Sequence, residues 1–300
     1  MFDIMRTAMR IIVVLLALCL TAAAESESPY RQTQNVIYGE TDGVGLLMDV
    51  FAPTRPDGPG HGLGLICVTS GAWKSDRAMM EAHQRIGIID VPCGHGFTVF
   101  AVRPGCLSGF TAVQMLAHVK TGIRYVKAHA SEYGIDPDRL GLTGASAGGH
   151  LALLAGMCVE PPDPDAEEPL DKLGTGVKAV GVFCPATDFL DWNGKKYGLD
   201  LMEWRLVFRD GATGTTEAQK EEAAKAVSPF YQVKAGLPPF LLVHGDADTV
   251  IPVQQSIKLA KALRDAGNSA ELIVKQGADH SWPTMREEFE KMTAWFDGKL

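Results

Sequence analysis

The sequence predicts an α/β fold: a mostly parallel central sheet with helices packed on both of its faces. Three observations predict it. Short apolar runs rich in β-forming residues alternate with longer segments whose apolar residues recur at three- and four-residue steps. That alternation means βαβ units, and strands covered on both faces need no polar side. The 300 residues contain no Gly/Ser- or Pro-rich linker and no internal repeat, and 46% are hydrophobic, so one large core is expected rather than two.

The first segment stands apart. Arg6 and Arg10 precede the apolar run Ile11 to Leu20, and the small residues Thr21-Ala22-Ala23-Ala24 come before polar Glu25-Ser26-Glu27. This is the pattern of a secretory signal, with cleavage expected after Ala24. The apolar run is short for a bilayer span of ~20 residues, so no stable membrane association is expected after cleavage. Residues 25–300 would form the exported domain, secreted or periplasmic. Cys19 is a poor lipoprotein site because bulky Leu18 precedes it.

From residue 35 the elements follow in order. Residues 35–40 and 46–52 read as two strands joined by a Thr-Asp-Gly turn, an antiparallel edge leading into the sheet. Strands follow at 64–69 and 98–102, with a helix over 77–91 between them. The spacing of Met115, Val119, Ile123, Val126 and Ala130 predicts a helix over 114–130. A strand at 140–143, a helix at 151–157 and a strand at 177–183 continue the alternation. Strands at 240–243 and 270–274 flank a helix at 253–266, and an amphipathic helix at 284–296 closes the chain. Residues 188–228 fit the alternation badly, being rich in Trp, Lys, Glu and Gly, with a helix over 217–226. They read as a small cap or lid over the sheet.

In such sheets chemistry sits at the carboxyl ends of the strands. There Gly144-Ala145-Ser146-Ala147-Gly148-Gly149 leaves a predicted strand and enters a predicted helix. A sharp strand–turn–helix elbow needs small residues beside its serine and thrusts the hydroxyl outward. The helix behind it brings its positive end near a developing oxyanion. A serine hydroxyl is a poor nucleophile near neutral pH and requires an oriented base. The strand at 240–243 runs into His244-Gly245-Asp246-Ala247-Asp248, and the strand at 270–274 is followed by Gly277-Ala278-Asp279-His280. Serine, acid and histidine thus fall on loops after strands in the order this elbow requires.

His280 is the expected base. His83, His95, His118 and His129 lie in or near helices, His150 begins the elbow helix where packing is expected, and His244 is placed to support the acid loop. Of the two carboxylates, Asp248 lies further along its loop and reaches the imidazole more easily. Asp246 is expected to bind loop amides, and Asp279 to be solvated or to accept loop hydrogen bonds.

These motifs identify the resemblance. Gly-Ala-Ser-Ala-Gly-Gly-His at 144–150, His-Gly-Asp-Ala-Asp at 244–248, Gly-Ala-Asp-His at 277–280 and Asp-Pro-Asp-Arg-Leu at 136–140 resemble the α/β-hydrolase superfamily, specifically BD-FAE-like and hormone-sensitive-lipase-like esterases. The resemblance implies an α/β-hydrolase fold and acyl transfer through Ser146, Asp248 and His280. It also implies short ester substrates, such as acetyl or feruloyl groups on carbohydrates. One stretch departs from the family. Where those esterases carry His-Gly-Gly-x-Trp, this chain has Thr69-Ser70-Gly71-Ala72-Trp73. Backbone amides form the oxyanion hole, so Ser70, Gly71 and Ala147 N–H groups are the expected donors. Trp73 is expected to brace that loop or to touch substrate. Trp192 and Trp204 in the cap could wall a pocket or stack on a sugar.

No cofactor is expected. The net charge of −8 disfavours nucleic acid and anionic surfaces as partners. The five cysteines beyond the signal show no paired CxxC spacing, which argues against zinc. Cys67 and Cys184 read as small core residues, and the spacing allows a Cys93–Cys106 bridge. A serine exopeptidase of the same fold and a non-catalytic binding relative are the rival readings.

Overall fold

A computed structural model describes residues 28–300, so the expected signal and its cleavage point lie outside the described residues. None of the described helices is long and apolar enough to cross a membrane. Strands β1 (Tyr30–Thr41) and β2 (Val44–Pro53) form the predicted hairpin. Its turn places Asp42 at φ 48° and Gly43 at φ 73°, the left-handed pair that joins twisted strands tightly. The sheet continues with β3 (Gly64–Val68), β4 (Thr98–Arg103), β5 (Leu140–Ala145), β6 (Ala179–Phe183), β7 (Phe240–Gly245) and β8 (Ala270–Lys275). Their spatial order is β1-β2-β4-β3-β5-β6-β7-β8. β2 pairs antiparallel with β1 and β4, and every later pairing is parallel.

Every residue of β3, β5, β6 and β7 is buried. These are the continuous apolar runs of the sequence, and burial on both faces is why they show no polar alternation. On one face pack α3 (Ala112–Ala128), α4 (Ala147–Met157) and α6 (Gln254–Asp265), through residues such as Met115, Ile123, Leu151 and Leu259. On the other pack α1 (Arg77–Ile86), α2 (Asp90–Gly94) and α7 (Met285–Asp297), through Met80, Val91, Phe289 and Phe296. Helix α5 (Glu217–Ala226) lies within the insertion.

Two local differences from the expected elements have clear causes. The helix expected over 77–91 is two helices, because Gly87 (φ 95°) adopts the left-handed conformation and caps α1. Helix α3 starts at Ala112 because Thr111 and Gln114 form a reciprocal capping box.

The cysteine bridge is also corrected. Cys93 is buried with Sγ facing Phe51 O at 3.6 Å, Cys106 Sγ accepts from Ser75 N at 3.3 Å, and both thiols are free.

The insertion at 188–228 is tied down at its root. Buried Gln255 accepts from Thr187 N and Asp188 N at 2.9 and 2.7 Å, and Lys258 Nζ binds Asp188 and Asp191, each at 2.7 Å. Leu201 and Leu206, within the insertion, are fully buried. Leu199 through Trp204 form a left-handed turn with φ between 41° and 69°.

Candidate active site

The site is built where β5, β7 and β8 end. Ser146 follows β5 at φ 55°, ψ −121° and turns the chain directly into α4. Only glycine fits at positions 144 and 148. A Cβ at Gly144 would lie 2.5 Å from Gly148 C, and one at Gly148 would lie 2.2 Å from Val68 O. Gly148→Ala must therefore push backbone against backbone. It is expected to destabilise the protein by roughly 3 kcal/mol, measured as a lower urea midpoint with unchanged slope.

The loops after β7 and β8 are zipped together by their own polar groups. Asp246 Oδ1 accepts from Gly277 N at 2.6 Å, and Ala247 N donates to Ala278 O at 2.9 Å. Asp279 accepts from Thr249 N at 2.8 Å and from its own neighbour His280 N at 2.7 Å. Both carboxylates thus hold loop amides, as their positions in the sequence suggest. The result fixes His280 between two partners. His280 Nδ1 lies 2.8 Å from Asp248 Oδ2, and His280 Nε2 lies 3.0 Å from Ser146 Oγ.

Asp248 is completely buried at its side chain. Burial alone would raise its pKa, but bonds from His244, His280 and the Ile251 amide outweigh burial and hold the carboxyl well below the usual range. Its Oδ1 accepts from Val250 N and Ile251 N, each at 2.8 Å. His244 Nε2 approaches Oδ2 at 3.2 Å and Ile251 O at 2.9 Å, while His244 Nδ1 pairs with Ser256 Oγ at 2.7 Å. His244 therefore braces the acid loop from beneath.

The elbow and the 69–73 loop are joined by Gly148 N donating to Ser70 O at 2.9 Å. One expected oxyanion donor is corrected here. Gly71 N already donates to Lys74 O at 3.0 Å, closing a turn in which Ala72 and Trp73 have φ of 47° and 54°. Ser70 N and Ala147 N, the latter in the first turn of α4 where no helical acceptor exists, have no acceptor among the described residues. Trp73 is 2% exposed, and its indole N–H donates to His150 Nδ1 at 3.1 Å. His150 Nε2 lies 2.7 Å from Val227 O and burial pushes its pKa down to about 4, so it is a neutral brace that donates to that carbonyl.

Ser146 and His280 open onto a pocket of about 560 Å³ with predominantly apolar walls. Trp73 borders it, but its polar edge faces away, so it braces the loop rather than offering a hydrogen bond. Trp192 and Trp204 are corrected: neither lines the pocket. Trp192 stacks on Phe189 at 5.9 Å, and Trp204 packs against Tyr197 at 4.6 Å. The insertion instead contributes Leu199 and Met202. Sequence reasoning also missed one whole wall, the face of α1 carrying Met79, Ala82, His83 and Ile86. Their spacing already signalled a helical face; nothing in it distinguished a pocket face from a core face.

Cys184 Sγ lies within 4.8 Å of donor atoms of Asp248 and His280. A metal there would have to displace the Asp248–His280 bond and deprotonate a thiol that burial pushes up to about 12. The hydrogen-bonded row is the better description of this cluster.

Comparison with known proteins bears on this geometry. The BD-FAE family model matches residues 48–263. A probable carboxylic ester hydrolase, LipM of Mycobacterium tuberculosis, is 30% identical over 237 residues, covering 78% of this chain and 52% of LipM. Esterase LipC of the same organism is 28% identical, covering 80% of this chain and 57% of its own length. The chain thus spans about half the length of the curated relatives it matches. A truncated carbohydrate esterase from gut microbiota superposes with a TM-score of 0.78 at 26% identity, covering 91% of this chain and 98% of that one.

Proposed function

The chain belongs to the BD-FAE family of α/β-hydrolase-fold proteins, and from that premise we propose that it is a serine carboxylic-ester hydrolase. The observation that carries the proposal is the unbroken row from Ser146 Oγ through His280 to Asp248, opening on an apolar pocket. The names of its relatives, carboxylic ester hydrolase and esterase, support the same class.

His280 Nε2 takes the Ser146 proton as Oγ attacks the ester carbonyl. Asp248 holds the imidazole with Nδ1–H toward itself, which leaves the Nε2 lone pair facing the serine, and it stabilises the imidazolium that forms. The amides of Ala147 and Ser70 receive the negative charge on the carbonyl oxygen. His280 then protonates the leaving alcohol, and the acyl-Ser146 ester is released by water that His280 activates. The proton relay from Ser146 to His280 uses groups already within hydrogen-bond reach.

The substrates we propose are short acyl esters of carbohydrates, with acetyl and feruloyl groups as the candidates. A carbohydrate esterase among the similar structures supports this. We further propose export, supported by the charge and apolar pattern of residues 1–24. Turnover of p-nitrophenyl acetate against aminoacyl-anilides tests the reaction class. Ester hydrolysis with anilide turnover at least about 10³-fold lower is expected of an esterase, because p-nitrophenoxide leaves as a stabilised anion whereas an anilide nitrogen must be protonated to depart, and the reverse preference would point to a peptidase.

A further inference from the structure

The pocket wall missed in the sequence carries a polar group that the reaction does not use. Met79, Ala82, His83 and Ile86 lie on one face of α1, at the three- and four-residue steps that align side chains. Phe183 and Met285 also wall the same pocket. Among these apolar neighbours His83 is 4% exposed, and its Nδ1 is buried without a hydrogen-bond partner. Nε2 is the ring nitrogen left to meet a ligand. Among the described residues Nε2 has no hydrogen-bond partner, so this ring edge is a polar contact in an otherwise apolar wall that the empty protein leaves unused. A leucine would serve a purely apolar pocket better.

We propose that His83 is a specificity-determining residue that hydrogen-bonds a hydroxyl on the arm of the ester seated in this pocket. The inference rests on the esterase reading of the same site. Burial pushes the His83 pKa down to about 4, so the ring is neutral near pH 7. A neutral ring offers no charge to a carboxylate, which would carry its own desolvation cost into apolar surroundings. A hydroxyl both donates and accepts, so it pairs with Nε2 in either imidazole tautomer. The rest of the arm must be apolar to suit Met79, Ile86, Phe183 and Met285. A hydroxylated aromatic or branched group has that chemistry.

Two pairs of esters test this, each pair differing by one phenolic hydroxyl. In the acyl pair, ethyl 3-phenylpropanoate is compared with ethyl 3-(4-hydroxyphenyl)propanoate. In the alcohol pair, the acetates of 2-phenylethanol and 2-(4-hydroxyphenyl)ethanol are compared. In the wild-type enzyme the hydroxylated member of at least one pair should have a kcat/KM about tenfold or more higher. His83→Leu should bring that ratio to within about twofold, and His83→Gln, which keeps a hydrogen-bonding group, should retain part of it. A ratio near one in both wild-type pairs, or a preference that survives His83→Leu, overturns the role of His83. Failure of the wild type to hydrolyse p-nitrophenyl acetate as well would instead overturn the esterase reading on which it rests.

Discussion

Ser146→Ala is expected to lower kcat toward p-nitrophenyl acetate by about 10⁴- to 10⁶-fold while leaving the fold intact. The hydroxyl is the only group the change removes, and its one described hydrogen bond is to His280. The backbone at φ 55° is as unfavourable for alanine as for serine, so the elbow loses nothing by the exchange. Thermal unfolding should therefore stay within about 2 °C of the wild type, as for substitutions that remove no packing. A variant that loses activity together with several degrees of stability would point to a structural role for the serine instead.

Asp248→Asn should have the second-largest effect, a fall in kcat of about 10⁴-fold. The asparagine oxygen can still accept from the Val250 and Ile251 amides, which keeps the loop in place. Its NH₂ group would then face His280, where the carboxylate now accepts from Nδ1. That inverts the imidazole tautomer and points Nε2–H at Ser146, so the base arrives already protonated. The same residue carries a pH-dependent part of the stability. Its carboxyl is held below the value it has in an unfolded chain, near pH 4. Its contribution is therefore complete above about pH 5 and is lost as pH falls through the folded-state value. Denaturation midpoints of wild type and variant should accordingly converge as the pH is lowered toward about 2, and a gap that stays constant with pH would contradict the assignment.

Much of this architecture was legible because each signal was local. Apolar continuity marked β3, β5, β6 and β7, since strands buried on both faces carry few polar residues. The serine, acid and histidine loops were legible for a different reason: in a parallel sheet, residues just after strand ends converge at one edge whatever separates them along the chain. That rule brought together positions 134 and 32 residues apart.

What escaped was set by packing between distant segments. The cap aromatics have the composition of a binding wall, yet Trp192 stacks on Phe189 and Trp204 packs against Tyr197, both within the insertion. No residue between Leu199 and Trp204 is glycine, so nothing announced the left-handed turn that presents Leu199 and Met202 to the pocket. The engagement of the Gly71 amide was equally hidden, because a glycine in an oxyanion-type loop and a glycine in a tight turn look alike until Lys74 O is placed. His83 reads as an ordinary helical histidine until Phe183 and Met285 arrive around the same pocket.

The proposed reaction depends most on Ser146 being a nucleophile activated by His280. A fluorophosphonate probe followed by peptide mass mapping tests that directly. The probe should add a single adduct, located on the peptide carrying Ser146, and His280→Ala should slow its formation by about 10³-fold or more. An adduct on any other residue, or labelling of Ser146 at the same rate without the imidazole, would contradict the account.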